Sequence, residues 1–319
     1  MTRVRAVLPT LLLLASCVSS APGPSGVTMS AQTQADEERR KRLADTLVKL
    51  DQQVDRFVML GSQSGDDLRN ERTMLAGALS AQVAQYKPDL LEIAADAEKP
   101  ERRRTAVKAL AFCDDAAAVP VLIAALEVRE DPRLVTNATF ALGRIHAAST
   151  PVDPLLALVR DGDRDMRSNS LMALWHIFDE RHEAGTPPLD AKQARTAMPL
   201  LEAALFEPSD PLIRAHAAAA LGALGDPRSV DPLMNLLRDP HPLVRTQTAL
   251  ALGKLGDEKA IPALIAVIEE TSAGTPRSAV LLGLTMLFEK AGHRVPESLG
   301  ESASAWERYA HDTLDSSLR

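Results

Sequence analysis

The chain has 319 residues, a length that suits two compact domains or one extended repeat array. Its residues are 45% hydrophobic but only 3% aromatic, and alanine and leucine are prominent, which argues against a β-sandwich or barrel and against wholesale disorder. A formal net charge of −7 gives no reason to expect nucleic acid as a partner. Alanine and leucine head the helix-propensity scale, so the composition predicts an all-α protein.

Arg3 and Arg5 precede an apolar stretch, residues 6–15, that is too short to span a bilayer and reads as a secretory signal. Leu14-Ala15-Ser16-Cys17 follows and resembles a bacterial lipobox. The resemblance implies diacylglycerol on the Cys17 sulfur and cleavage before it, so residues 1–16 are set aside as signal. Cleavage after Ala21 is the alternative, opposed by Pro22 in the next position. Val18, where an aspartate would retain a Gram-negative lipoprotein at the inner membrane, points to the outer membrane, facing the periplasm. Loss of Arg3 and Arg5 takes the formal charge from −7 to −9. The remaining cysteines, Cys17 and Cys113, cannot form an internal disulfide if Cys17 is acylated, nor a structural zinc site. Residues 17–34, small, polar and rich in Pro and Gly, form a flexible tether with a reach of roughly 20–25 Å.

Residues 35–84 read as an N-terminal helical hairpin. Leu43, Leu47, Leu50, Val54 and Phe57 alternate in 4-and-3 spacing, which predicts one helix over residues 36–60 that stops near Gly61, with 66–84 as its antiparallel mate. A coiled-coil dimer is the alternative, but only about two heptads are present. Residues 85–291 are a repeat array. Prolines 88, 120, 154, 199, 232 and 262 lie 32, 34, 45, 33 and 30 apart, each expected in the first turn of a unit's first helix, where no amide bond is lost. A second helix follows in each unit. Its clearest copies are Ala220-Leu221-Gly222-Ala223-Leu224-Gly225-Asp226 and Ala251-Leu252-Gly253-Lys254-Leu255-Gly256-Asp257. Leu110, Leu142, Leu174, Leu221 and Leu252 align as a buried stripe, Ala109, Ala141, Ala173, Ala220 and Ala251 allow close helix approach, and the last glycine suits a left-handed helix stop. Cys113 falls at a core leucine position, which predicts a buried, inert thiol.

These units resemble HEAT-like repeats, of the short type seen in phycobilin lyases and many bacterial proteins. The carrying residues are the first-helix prolines, the Ala-Leu-Gly core and an Asp–Arg pair six apart, Asp161 with Arg167 and Asp239 with Arg245. The resemblance implies an α-solenoid of about six stacked hairpins with capping helices at both ends, and an Asp–Arg ladder in which each arginine meets the turn of the next unit. Arg103 and Arg214 keep the arginine, Val135 interrupts the column in the second unit, and Arg277 is its equivalent in the irregular sixth. In residues 292–319, a linker leads to a closing helix over 302–314 carrying Trp306, Tyr309, Ala310 and Leu314.

Chemistry-bearing motifs are sparse. The seven histidines include no His-x-x-x-His or Glu-x-x-His pair. Deoxyhypusine hydroxylase, a HEAT-like metalloenzyme, uses several His-Glu dipeptides, whereas this chain has one, His182-Glu183. No Gly-x-Ser-x-Gly, P-loop or Rossmann pattern occurs, so neither metal nor cofactor is expected. One constellation stands out. Two places after the arginine column lie Thr105, Asn137, Asn169, His216 and Gln247, and seven residues later on the same helical face lie Phe112, Arg144, His176, Ala223 and Lys254. In HEAT arrays the second helices line the concave surface. Asn137, Arg144, Asn169, His176, His216, Gln247 and Lys254 are therefore the candidate partner-binding residues, and a solvated helix face is the plain alternative. The third unit departs from the pattern, with Trp175 and Phe178 at glycine positions and a connection about twelve residues longer over 180–196.

The expected function is a membrane-anchored, periplasm-facing scaffold that binds a protein partner and has no catalysis of its own. An enzyme subunit of the bilin-lyase kind and a structural envelope component are the alternatives.

Overall fold

The structure is a computed structural model that describes residues 31–61, 65–270 and 277–317. The signal segment, Cys17 and most of the tether lie outside the described residues. Among the described residues there are fourteen α-helices joined by short 3-10 turns and loops, and no strand. They fall into two units, one ending at Asp45 and one beginning at Thr46.

Helix α1 (Ala31–Gly61) passes from the first unit into the second and takes in residues 31–34, which the sequence assigned to the tether. In the second unit its side chains at Leu47, Leu50, Val54, Phe57 and Leu60 are buried. Its mate α2 (Asp66–Ala95) does not end at residue 84. It runs on through Pro88 and serves as the first helix of the first repeat, so the boundary expected between residues 84 and 85 falls inside a continuous helix. An internal proline costs a helix about 3 kcal/mol. Here the burial of Leu79 and Val83 before it and of Leu90 and Ala94 after it offsets that cost.

The remaining helices alternate. First helices are α4 (Val119–Leu126), α6 (Asp153–Asp161), α8 (Ala191–Leu205), α10 (Val230–Leu236) and α12 (Ile261–Glu270). Second helices are α3 (Pro100–Ala109), α5 (Pro132–Ile145), α7 (Arg164–Glu183), α9 (Pro211–Leu224), α11 (Pro242–Leu255) and α13 (Arg277–Lys290). The second helices pack in series, each on the one before, and each also packs on its own first helix. The closing helix α14 (Ala303–Ser317) packs on α12. This is an all-α solenoid.

Local chemistry explains each joint. Asp131, Asp163 and Asp210 cap α5, α7 and α9 through backbone N–H groups of their first turns. Asp115, Asp226 and Asp257 cap the 3-10 turns that lead into α4, α10 and α12. Gly225 and Gly256 end α9 and α11 in the left-handed conformation, at φ 75° and 72°. His146 takes the same place after α5, at φ 34°, without the glycine's freedom. The five aligned leucines are fully buried, as are their alanine neighbours to within 2%.

The glycine of Ala-Leu-Gly sets how closely second helices approach. A Cβ on Gly222 would lie 2.6 Å from the Ala251 backbone, and one on Gly253 would lie 2.5 Å from the Gly283 carbonyl. In α7 this position is Trp175, which cannot enter such a contact.

Two proline positions differ from expectation. Pro199 lies inside α8, not in its first turn, because α8 begins at Ala191 with a capping box of Asp190 and Gln193. The long third connection is also shorter than its sequence suggests. Helix α7 continues to Glu183, leaving residues 184–190 as the loop. Arg181 holds this extension in place, donating to the carbonyls of Ala148 and Thr150 at 2.9 and 2.7 Å and to that of Pro188.

Candidate partner-binding face

The second helices α3 to α13 share one face, and the seven candidate residues divide on it into three groups. Three reach back to the preceding second helix or to the 3-10 turn that directly follows it. Asn137 donates to the Arg104 carbonyl at 3.1 Å, Arg144 Nε to the Ala111 carbonyl at 3.2 Å, and His216 Nδ1 to the Ser168 carbonyl at 3.0 Å. Arg144 also lies over the rings of Phe112 and Phe57, at 4.4 and 4.7 Å. Burial, with Arg72 nearby, disfavours its charge. These side chains stitch neighbouring units together.

Two more are engaged across the face. His176 stacks on Trp175 with ring centroids 4.5 Å apart. Burial lowers its pKa from 6.5 to about 4, with the charges of His146, His216 and Lys254 acting in the same direction. Its imidazole is therefore neutral near pH 7. Lys254 donates to both carboxylate oxygens of Asp179 at 2.6 Å. The last two, Asn169 and Gln247, are half-buried and have no side-chain hydrogen bond among the described residues.

The arginine column does a consistent job. Arg103, Arg167 and Arg277 each donate to a carbonyl near the C-terminal end of their own first helix, those of Ala94, Val159 and Ile268, while Arg214 and Arg245 donate to Glu207 and Asp239 in the turns just beyond theirs. Two also reach the next unit. Arg214 holds Asp239 through two bonds of 2.8 and 3.0 Å, and Arg167 reaches Glu207 at 2.9 Å. Asp239 is held below the usual carboxylate range by Arg214, against its own burial. In the first unit Arg104, not Arg103, meets the next turn at Asp131. Val135 is fully buried in α5, and Asp161 pairs with its neighbour Arg160.

The extension of α7 builds a feature that the sequence pattern did not single out. Asp179, His182 and Glu183 form one wall of a cavity of about 420 Å³, and Lys254 of α11 and Lys290 of α13 form the other. Gly222, Ala223 and Gly225 of α9 lie between them. His182 comes within 3.1 Å of where a Cβ on Gly225 would stand. Glu183 has no ionic partner among the described residues. Two signals pointed here: the lone His182-Glu183 dipeptide and the tryptophan at a glycine position. A separate polar recess of about 490 Å³ lies farther toward the N-terminus and includes Asn137, Arg104 and Asp163.

Cys113 is buried, and burial pushes its thiol pKa up, as befits an inert core residue. Among the described residues, no group of three or more His, Cys, Asp or Glu could hold a metal. Nor is any helix among them long and apolar enough to cross a membrane.

The family model for HEAT repeats matches residues 88–175 and 198–285, more than half of the chain. The chain belongs to the HEAT-repeat family. No curated protein matches. Among solved structures it is similar to an engineered protein at 21% identity, covering 76% of this chain and 98% of that one with a TM-score of 0.42. It is similar to the complex of CpcE and CpcF of phycocyanin lyase from Nostoc sp. PCC7120 at 18% identity, over 94% of this chain and 99% of that one, TM-score 0.45. It is also similar to human deoxyhypusine hydroxylase at 19% identity, over 85% and 96%, TM-score 0.29.

Proposed function

We propose that this HEAT-repeat protein is a non-catalytic scaffold, held at the outer membrane by lipid on Cys17, that binds a segment of a protein partner along the face of its second helices. The observation that carries the reading is the pair Asn169 and Gln247. Their column neighbours Asn137 and His216 bond to the preceding helix, while these two amides have no side-chain partner among the described residues. An extended segment laid across the helices offers backbone donors and acceptors to such amides. The order of basic residues, short apolar run, lipobox and Pro/Gly-rich tether supports the anchor and the periplasmic address. The scarcity of catalytic motifs supports a binding role.

The test is made in intact cells, with a photo-crosslinking residue placed in turn at Asn169, Gln247 and Asn235, the last an exposed residue of a first helix. An adduct of one size from the first two positions and none from Asn235 is expected. Equal labelling from all three, or a bound small molecule in place of a protein, would favour the enzyme-subunit alternative. Palmitate incorporation that is lost in Cys17→Ser tests the anchor separately.

A further inference from the structure

We infer that Trp175 and Asp179 form a receptor for a lysine side chain of the partner, and that Lys254 occupies it in the free protein. This deepens the proposed reading of the second-helix face and rests on it.

The corner has the two parts a cation site needs. Asp179 supplies the carboxylate, and the Trp175 indole N–H donates to its Oδ2 at 2.8 Å, which fixes its orientation. The ammonium of Lys254 sits 2.6 Å from both oxygens and 5.9 Å from the centre of the Trp175 ring, within range of a cation–π contact. The lysine that fills this corner does not come from a neighbouring helix. Asp179 is on α7 and Lys254 is on α11, with α9 between them. Packed helices lie roughly 8–10 Å apart, so a flat arrangement would leave two such spacings to cross. The lysine reaches because α9 presents only Gly222 and Ala223 along this part of the cavity, and because the face is locally hollow.

Lys254 thus behaves as a tethered ligand. Its side chain and that of Asp179 are each about 30% exposed, so water and a competing ammonium reach the pair from the cavity. Exposed pairs of this kind are worth little individually, and an exchange of one ammonium for another costs little. Glu183, one turn beyond Asp179 on the same helix face, supplies a second carboxylate on the same wall for an arriving basic segment. His176 beneath the indole is neutral near pH 7 and does not oppose a cation. Lys290 is turned to the Lys254 carbonyl, which it reaches at 2.5 Å, and so does not compete for Asp179.

The test uses the chain from Cys17 onward with Cys17→Ser, titrated with acetyl-tetralysine amide and, as the opposite charge, acetyl-tetraglutamate amide. Trp306→Phe leaves Trp175 as the only tryptophan, so its emission reports the site. Calorimetry on the chain with both tryptophans gives the same answer should that variant unfold. Saturable binding of tetralysine is expected. Lys254→Ala should bind it roughly tenfold tighter, because the internal occupant is gone, and Asp179→Asn should bind it at least tenfold more weakly. Binding of tetraglutamate that is lost in Lys254→Ala would overturn the inference in favour of an anion site. Failure of tetralysine to bind any of the three chains would also overturn it. The crosslinks from Asn169 and Gln247 read the wider face without using this corner, so loss of one proposal is distinguishable from loss of the other.

Discussion

His176 carries a pH dependence that its position alone defines. The imidazole is stacked on Trp175, and burial lowers its pKa to about 4. In an unfolded chain a histidine titrates near 6.5. The stabilising effect is therefore complete above about pH 6.5 and is lost as the pH falls toward 4, since only the unfolded chain takes up the proton in that window. To the fall in stability that urea denaturation reads between pH 7 and pH 4, His176 alone should contribute up to about 1.4 kcal/mol per pH unit. His176→Gln should flatten the slope, leaving the part due to His216, which burial lowers in the same direction, and, toward pH 4, the part due to carboxylates such as Asp239 that an arginine holds low. The residue types on this face were legible in the sequence, but their tasks were not. Asn137, Arg144 and His216 look like ligand-binding groups until their acceptors are known. Those acceptors are backbone carbonyls of another helix, and their register depends on how α5 and α9 dock.

At the scale of elements, the second helices are spaced by what their glycines lack. Gly222→Ala forces a methyl group against the Ala251 backbone and should destabilise the fold by about 1–3 kcal/mol. Gly77, in the exposed middle of α2, has nothing within 4 Å of its virtual Cβ, so Gly77→Ala should stabilise by about 0.5–1 kcal/mol. Denaturation midpoints of the two variants should move in opposite directions. Much of this level was readable: the Ala-Leu-Gly cores, the buried leucine stripe and the left-handed stops follow from local spacing. The element ends were less so. The repeat spacing predicts a helix start at Pro88 and Pro199, yet packing carries α2 and α8 straight through both. The prolines that do open helices at N1 include Pro100, Pro132, Pro211 and Pro242, which begin α3, α5, α9 and α11. The repeat signal favoured one proline per unit and passed over these. The α7 extension was hidden for a related reason. Residues 180–183 follow no repeat column, and their helix is held by Arg181 through carbonyls distant in sequence.

At the largest scale, the unit that begins at Thr46 is a one-dimensional array whose ends need separate closure. At the C-terminal end Trp306 is buried to 3% exposure, packs with Phe288 and Tyr309, and donates its indole N–H to the Gly300 carbonyl at 3.1 Å. Trp306→Ala should release this end alone. Amide exchange should quicken in α12 and α14 and stay unchanged in α5 and α7, because each unit depends on its neighbours and not on distant ones. Uniform acceleration along the chain would show a cooperativity that such arrays do not need.

The bridge between Lys254 and Asp179 sets an order of events during folding. Most stitches join residues close to one repeat apart, such as the 33 residues between Asn137 and Arg104 or the 36 between Lys290 and Lys254. Each can form as soon as two adjacent hairpins meet. The bridge closes a loop of 75 residues and has no geometry until α9 has settled on α7 and α11 on α9. It is therefore among the last contacts to be made, and it registers that three consecutive units are in place. Trp175, which shares Asp179 with that lysine, gives the step an intrinsic optical signal late in refolding.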